Sequence, residues 1–436
     1  MVCPNSMRTI PKSVCFHSEL HLSTFGYGKE FLMAVILHQK QHKSICKMKR
    51  VIQSVLMMLL VVCSLAAQEI ARVEYKEFDS KNFPFKRPFL IFTPEEYDTN
   101  VNSDYDVIYV FDAQWYSRFG LVHNLLHYGC QEEATPNEED HPYIVVGIPS
   151  PYVPEYNYER NCDFYSLPVN TPIPEGRSEE FFCAPKFKKF LKEELMPYID
   201  SNYRTTGHTL AVGHSLSASF ILDALETEDM FDDYIVLSPN LCWDNDLWAD
   251  RLINFNFNDG KPRYFFFNMA NECEDTGWGP EWRPAYDKVR NHFESTALPS
   301  NIVMKFNESP QYSHNPSYQP VIIDALKDYC IYRLTHNHEP VTEEAYPVHI
   351  ELKGKLLSGD VYITGNQDAL ANWNPMGVKM NQINDSTYTI DINLRLPAEY
   401  KFTQGTWEHQ PFPKSTVPGN LRIADPNKTV IYHETD

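Results

Sequence analysis

From about residue 87 to residue 333, short β-branched or aromatic runs alternate with longer stretches of helical periodicity. This alternation constrains the fold more than any other feature, because strands separated by helix-length connections pair in parallel and need helices to cover them. The expected strands are Pro88–Phe92, Val107–Phe111, Ile144–Ile148, Thr209–Val212, Tyr234–Leu237, Tyr264–Met269 and Ile302–Phe306. Among them, Glu179–Tyr198 carries Phe182, Phe187, Phe190, Leu191 and Leu195 at three- and four-residue spacing, which predicts a helix lying on the sheet. Around Thr335–Pro347 the pattern gives way to a polar stretch with prolines and acids, and only strand-like alternation follows. The fold class is therefore α/β with a mostly parallel sheet over residues 68–335. A linker spans 336–345, and a small all-β sandwich spans 346–436. His336 and His338 in that linker have no evident third ligand, so a solvated linker is expected there and no metal.

The N-terminal region reads differently. Met48-Lys49-Arg50 precedes the apolar run Val51–Val62, and the small residues Ser64, Ala66 and Ala67 follow. This is the pattern of a signal peptide over 48–67, cleaved near Ala66 or Ala67. The apolar run is shorter than the ~20 residues a membrane span needs, so no integral anchor is expected after cleavage. The mature protein is then exported, either periplasmic or secreted. Residues 1–47 read as an over-extended start or a disordered leader. Removing residues 1–67 takes the formal charge from −20 to −26, and such a charge repels nucleic acid. Export also permits disulfides among Cys130, Cys162, Cys183, Cys242, Cys273 and Cys330, whose pairing the sequence leaves open.

The chemistry centres on Thr209–Leu222, where an apolar strand passes through Gly213-His214-Ser215-Leu216-Ser217 into a helix. A serine hydroxyl must stand clear of the backbone to attack an acyl carbon, and a tight strand-to-helix turn achieves this only between small residues. Ser215 is thus the expected nucleophile, with Ser217 standing where glycine is usual. Activation needs a base and an acid to orient it, later in the chain. His314 lies after the last expected strand, ahead of a helical pattern from Gln319 to Tyr332, and is placed in a loop as the base. The segment after Tyr264–Met269 offers Glu272, Glu274 and Asp275. Glu272 is preferred because it is nearest the strand end, where the backbone is best fixed. Two backbone N–H groups must also face the developing oxyanion. Leu216 supplies one; the other comes from the turn Asp112–Trp115, with Gln114 chosen ahead of Ala113.

With these residues in place, the chain resembles the putative-esterase branch of α/β hydrolases, which includes enterochelin, feruloyl and acetyl-xylan esterases, S-formylglutathione hydrolases and mycolyltransferases. The resemblance covers about 75–333. It rests on Val107–Ala113, on Val145–Ile148 with Arg160 and Asp163, on Gly213-His214-Ser215, on Leu237–Asp244 and on the His314 segment. Ser217 and Ala113 both depart from the family's glycines. The resemblance implies carboxylic-ester hydrolysis without metal or organic cofactor. Its substrate would be a small-molecule or polysaccharide ester.

The last ninety residues contain Val361–Asn366, Leu370-Ala371-Asn372-Trp373, Tyr388–Leu394 and Glu399–Glu408. This part is similar to starch-binding domains of carbohydrate-binding module family 20. In that family one sugar site would fall on Trp373, Lys401 and Trp407, implying an α-glucan ligand. The alternative on composition is that both tryptophans are core. Ala371 replaces the family's glycine. The expected function is an exported serine esterase acting on carbohydrate-linked esters. Its rivals are a siderophore esterase, which cationic residues near the site would favour, and a glycan-binding protein whose hydrolase part is inactive.

Overall fold

The computed structural model describes residues 72–98, 104–128, 143–272, 281–336, 342–411 apart from 356 and 358, 420–428 and 430–435. Residues 1–67, Cys130, Cys273, Glu274, Asp275 and His338 lie outside the described set. All seven expected strands form, each longer than its apolar run: β2 Arg87–Thr93, β3 Tyr105–Phe111, β4 Tyr143–Ile148, β5 Thr205–His214, β6 Asp233–Leu237, β7 Arg263–Asn271 and β8 Ile302–Ser313. An eighth, β1 Arg72–Phe78, precedes them. The sheet order is β1-β2-β4-β3-β5-β6-β7-β8. β2 is antiparallel to both its neighbours, while β4, β3, β5, β6, β7 and β8 are parallel in succession.

Successive side chains of a strand point to opposite faces, and the two faces carry separate cores. Val107, Tyr109 and Phe111 of β3 join Phe187, Phe190, Leu195, Phe220 and Leu222 on one side. Ile108 and Val110 join Phe119, Val122, Ile322, Leu326 and Tyr329 on the other. Because both faces are covered, the inner strands carry unbroken apolar runs, which is what makes them legible in the sequence.

Two helices differ from expectation. The segment 179–198 begins as a single turn, Glu179–Phe181, and its long helix starts at Ala184. It then passes through a π-helical turn, Leu191–Leu195, and resumes at Met196–Asn202. Pro197 has no N–H to return to the preceding turn, and a widened turn just before it is how a helix absorbs that loss. The second difference concerns His314. β8 continues to Ser313, and the helix His314–Thr335 starts at the histidine itself. His314 is therefore the first residue of a helix rather than part of a loop.

After Thr335, β9 begins at Tyr346. Two four-stranded sheets follow, ordered β11-β10-β14-β15 and β12-β13-β9-β16. Their strands are β9 Tyr346–Lys353, β10 Tyr362–Gly365, β11 Val378–Lys379, β12 Asn381–Asn384, β13 Thr387–Leu394, β14 Ala398–Thr403, β15 Leu421–Ile423 and β16 Val430–Glu434. Val348, Ile350, Ile363, Ile390, Tyr400, Phe402 and Ile431 fill the core between them. Neither Trp373 nor Trp407 belongs to that core.

Candidate active site

The parallel strands bring their carboxyl ends to one edge, and there the loops converge. Ser215 occupies the turn between β5 and the helix Leu216–Glu228 with φ 63° and ψ −128°. A non-glycine residue in that region is strained and must be held by its surroundings. Its N–H donates to Leu237 O at 2.8 Å. Gly213 is required by contact: a Cβ there would lie 2.7 Å from the backbone of Ser217 and Ala218. Ser217 fits without crowding because its hydroxyl, fully buried, donates to Asp112 Oδ2 at 2.8 Å and accepts from the His214 N–H at 3.0 Å. The serine that departs from the usual glycine ties the elbow to the turn after β3.

His314 and Glu272 are both buried, and His314 Nδ1 lies 2.7 Å from Glu272 Oε2. Glu272 follows directly on the end of β7. The ring of His214, next in the chain to Ser215, lies 4.6 Å from the His314 ring, and its Nε2 donates to His314 O at 3.1 Å. Burial, together with the nearby Arg118, holds His214 well below the usual histidine range, so it is neutral. Trp282 meets the His314 ring edge-on at 5.5 Å. The serine and histidine segments therefore meet, and the carboxylate sits on the Nδ1 side of the histidine.

In the turn after β3, Ala113 N–H donates to Ile148 O at 3.2 Å. Of the two residues weighed for the second oxyanion donor, Ala113 is thus already engaged. Gln114 is clamped by its side chain, whose Nε2 donates to Asp112 Oδ1 at 3.0 Å and whose Oε1 accepts from Ser150 N–H at 2.9 Å. Leu216 opens the helix, where N–H groups have no partner in the preceding turn.

Sequence reasoning missed the cluster around Asp112. This fully buried carboxylate takes Arg118 Nη1 at 3.1 Å, Arg160 Nε at 2.5 Å and Arg160 Nη2 at 2.6 Å. Burial would raise its pKa, but the Arg160 hydrogen bonds and charge outweigh that and hold it below the usual carboxylate range. Two guanidiniums against one carboxylate leave a net positive charge. Both lie over the Trp115 ring, at 4.7 Å for Arg118 and 5.3 Å for Arg160, and Trp115 is 47% exposed. Arg160 was visible as a family motif residue, but nothing in the spacing of 112, 118 and 160 announces their meeting.

At the sandwich, Lys401 stands opposite Thr364 across β10 and β14, and Trp373 N–H donates to Gly365 O at 2.9 Å. Trp407 follows β14 and is 39% exposed. Trp373 and Lys401 thus lie about the β10–β14 pair, with Trp407 in the segment just beyond it.

A serine at the strand–helix elbow of a mostly parallel eight-stranded sheet defines the α/β-hydrolase class. Residues 80–292 match the Putative esterase family. The curated protein YjcH of Bacillus subtilis (strain 168), described as uncharacterized, is 30% identical over 172 residues, which are 38% of this chain and 61% of its own length. The match therefore spans less than two thirds of that relative. Among solved structures, the BES protein from Bacillus cereus is similar with a TM-score of 0.50 at 22% identity, over 59% of this chain and 96% of its own. An IroE-like serine hydrolase from Shewanella oneidensis has a TM-score of 0.47 at 22% identity, over 59% and 79%.

Proposed function

We propose that this protein is an exported carboxylic-ester hydrolase acting on carbohydrate-linked esters. Ser215 Oγ attacks the acyl carbonyl while His314 Nε2 takes its proton. Glu272 holds the Nδ1–H of His314 and stabilises the imidazolium that forms. The N–H groups of Leu216 and Gln114 receive the oxyanion. The alcohol leaves with the proton from His314, and water, activated by the same histidine, releases the acid. The observation that carries this reading is the buried 2.7 Å contact of His314 Nδ1 with Glu272 beside a strained serine. A fluorophosphonate probe should label the wild-type protein at Ser215 and leave Ser215→Ala unlabelled, with ester turnover lost and the fold kept. Unchanged turnover in Ser215→Ala refutes the mechanism. Lack of labelling in a folded wild-type protein favours the glycan-binding rival.

A second reading, hydrolysis of an anionic siderophore-type ester, gains from the Arg118–Arg160–Trp115 cluster beside Gln114. The sequence as a whole is acidic and gave no hint of such a local positive site. Comparing kcat/KM for acetylated sugars and for a catecholate lactone, each with wild type and Arg118→Ala, separates the two. A loss confined to the catecholate substrate supports the second reading. For the sandwich, the positions of Trp373 and Trp407 outside its core are compatible with α-glucan binding.

A further inference from the structure

Two of the buried cysteines meet at the base of a loop that reaches the candidate active site. Cys162 lies in the short helix Arg160–Phe164, and Cys183 immediately precedes the helix starting at Ala184. Cys183 N–H donates to Cys162 O at 2.9 Å, and Ala184 N–H to Tyr165 O at 3.2 Å. This backbone contact sets the two cysteines side by side, and a disulfide spans Cα atoms ~4.4–6.8 Å apart. Cys242 and Cys330, the other described cysteines, are placed elsewhere: Cys242 Sγ bonds Asn240 Oδ1, and Cys330 is buried in the helix His314–Thr335.

We propose that Cys162 and Cys183 are a disulfide-forming pair that closes the loop between them. Neither sulfur's present bond opposes closure. Cys162 Sγ accepts from Glu159 N–H at 3.5 Å, and a disulfide sulfur still accepts. Cys183 Sγ donates to Glu180 O at 3.1 Å, and Glu180 is an exposed residue whose carbonyl can turn to water. The oxidant is a small-molecule or protein disulfide. One cysteine thiolate attacks a sulfur of that disulfide and expels one thiolate. The second cysteine then attacks the mixed disulfide and expels the other. The two cysteines lose two electrons and two protons, and the oxidant is reduced to two thiols. Burial pushes the Cys162 thiol up to about 11 and raises that of Cys183 as well, so closure in the folded chain is slow at neutral pH and faster in mild alkali.

The loop so closed matters to the site. Arg160, two residues before Cys162, holds Asp112. Farther along, the backbone N–H groups of Val169, Asn170 and Thr171 all donate to the carboxylate of Asp244. Asp244, Asn245 and Asp246 are three consecutive residues at positive φ, a strained run that persists only where its surroundings hold it. The crosslink ties the third corner of this loop, whose other two are the Asp112 and Asp244 contacts.

The test uses the full chain, incubated with oxidised glutathione at mildly alkaline pH, blocked with N-ethylmaleimide and digested with trypsin without reduction. Arg177 is the only basic residue between the two cysteines, so they fall in separate peptides, 161–177 and 178–186. The expected result is one species joining the two peptides, split by dithiothreitol, with the melting temperature of the oxidised protein several degrees above that of the reduced protein. The melting difference should vanish in Cys162→Ala and in Cys183→Ala. If either variant fails to fold, the peptide map of the wild type alone decides. Recovery of both peptides carrying maleimide, or of glutathione on each without a link between them, overturns the proposal.

Discussion

Replacing Glu272 by glutamine tests the geometry most sharply, because it keeps the shape of the side chain and removes only the charge facing His314. In the folded protein the two side chains are nearly inaccessible to water, at 4% and 0%, with Nδ1 and Oε2 2.7 Å apart. In the proposed mechanism His314 takes the serine proton, and a positive charge would then develop about 4 Å from the carboxylate charge. At an effective dielectric constant of ~20, that interaction is about 4 kcal/mol. One decade in rate corresponds to about 1.4 kcal/mol, so Glu272→Gln should lower kcat by about three orders of magnitude while KM stays nearly constant. Initial rates on a p-nitrophenyl ester, with active sites counted by fluorophosphonate titration, give kcat free of folding losses. A loss under tenfold refutes the role given to Glu272. A greater loss in Glu274→Gln or Asp275→Asn moves that role to the neighbour.

Two further predictions concern stability. Arg87 and Asp163 form a fully buried bidentate pair at 3.0 and 2.8 Å, so Arg87→Met strands a buried carboxylate and should cost about 3–5 kcal/mol in urea unfolding. Arg87→Met/Asp163→Leu should recover most of that, and a single-variant loss below about 1 kcal/mol refutes the reasoning. His433 is buried in the sandwich with Tyr400 Oη 2.8 Å from its Nε2, and burial pulls its pKa down to about 4. The unfolded state binds its proton first as pH falls, so the stability is fully present above about pH 6.5 and is lost towards pH 4, by up to about 3 kcal/mol. Melting of wild type and His433→Phe at pH 7.5 and pH 4.5 should show the smaller drop in the variant; equal drops contradict it.

Much of the fold was legible for one physical reason. Strands buried on both faces are apolar wherever no buried partner satisfies a polar group; β4 displays that pattern throughout, and β3 does so from Val107 to Phe111, with Asp106 at its start paired to Arg333. β1 escaped because it is an edge strand, reading Arg-Val-Glu-Tyr-Lys-Glu-Phe, with every residue at least partly exposed. Ser215 and Glu272 are candidates because they follow the ends of β5 and β7. His314 is a candidate for the same reason, although β8 extends beyond its apolar run and hands over directly to the helix. By contrast, the Asp112–Arg118–Arg160 cluster and the tilted contact of the His214 and His314 rings join residues up to a hundred positions apart. Pairings at that separation leave no periodicity in a single sequence.

The sandwich poses a question of distance. Residues 69–436 form one compact unit, and the charge of Arg422 in β15 acts on Asp104 and Asp106, at the start of β3. Ser215 lies beyond the opposite end of β5, which is parallel to β3. A seven-residue strand is about 20 Å long, so Arg422 lies towards the end of the sheet away from the crevice. Arg422 stands opposite Glu399, and Lys401 lies two residues farther along the same outward face of β14. A glucan held by Trp373, Lys401 and Trp407 would therefore retain the enzyme on a polymer without presenting that contact to Ser215. The expected outcome is that saturating maltoheptaose leaves kcat and KM on a soluble ester unchanged. Trp373→Ala and Trp407→Ala should each release the protein from starch or glycogen in affinity electrophoresis, since losing an aromatic platform costs on the order of 1 kcal/mol. Competitive inhibition of the soluble ester by maltoheptaose would place the sugar at the crevice instead. Free migration of the wild type in every polysaccharide gel would mean that these tryptophans hold no glycan.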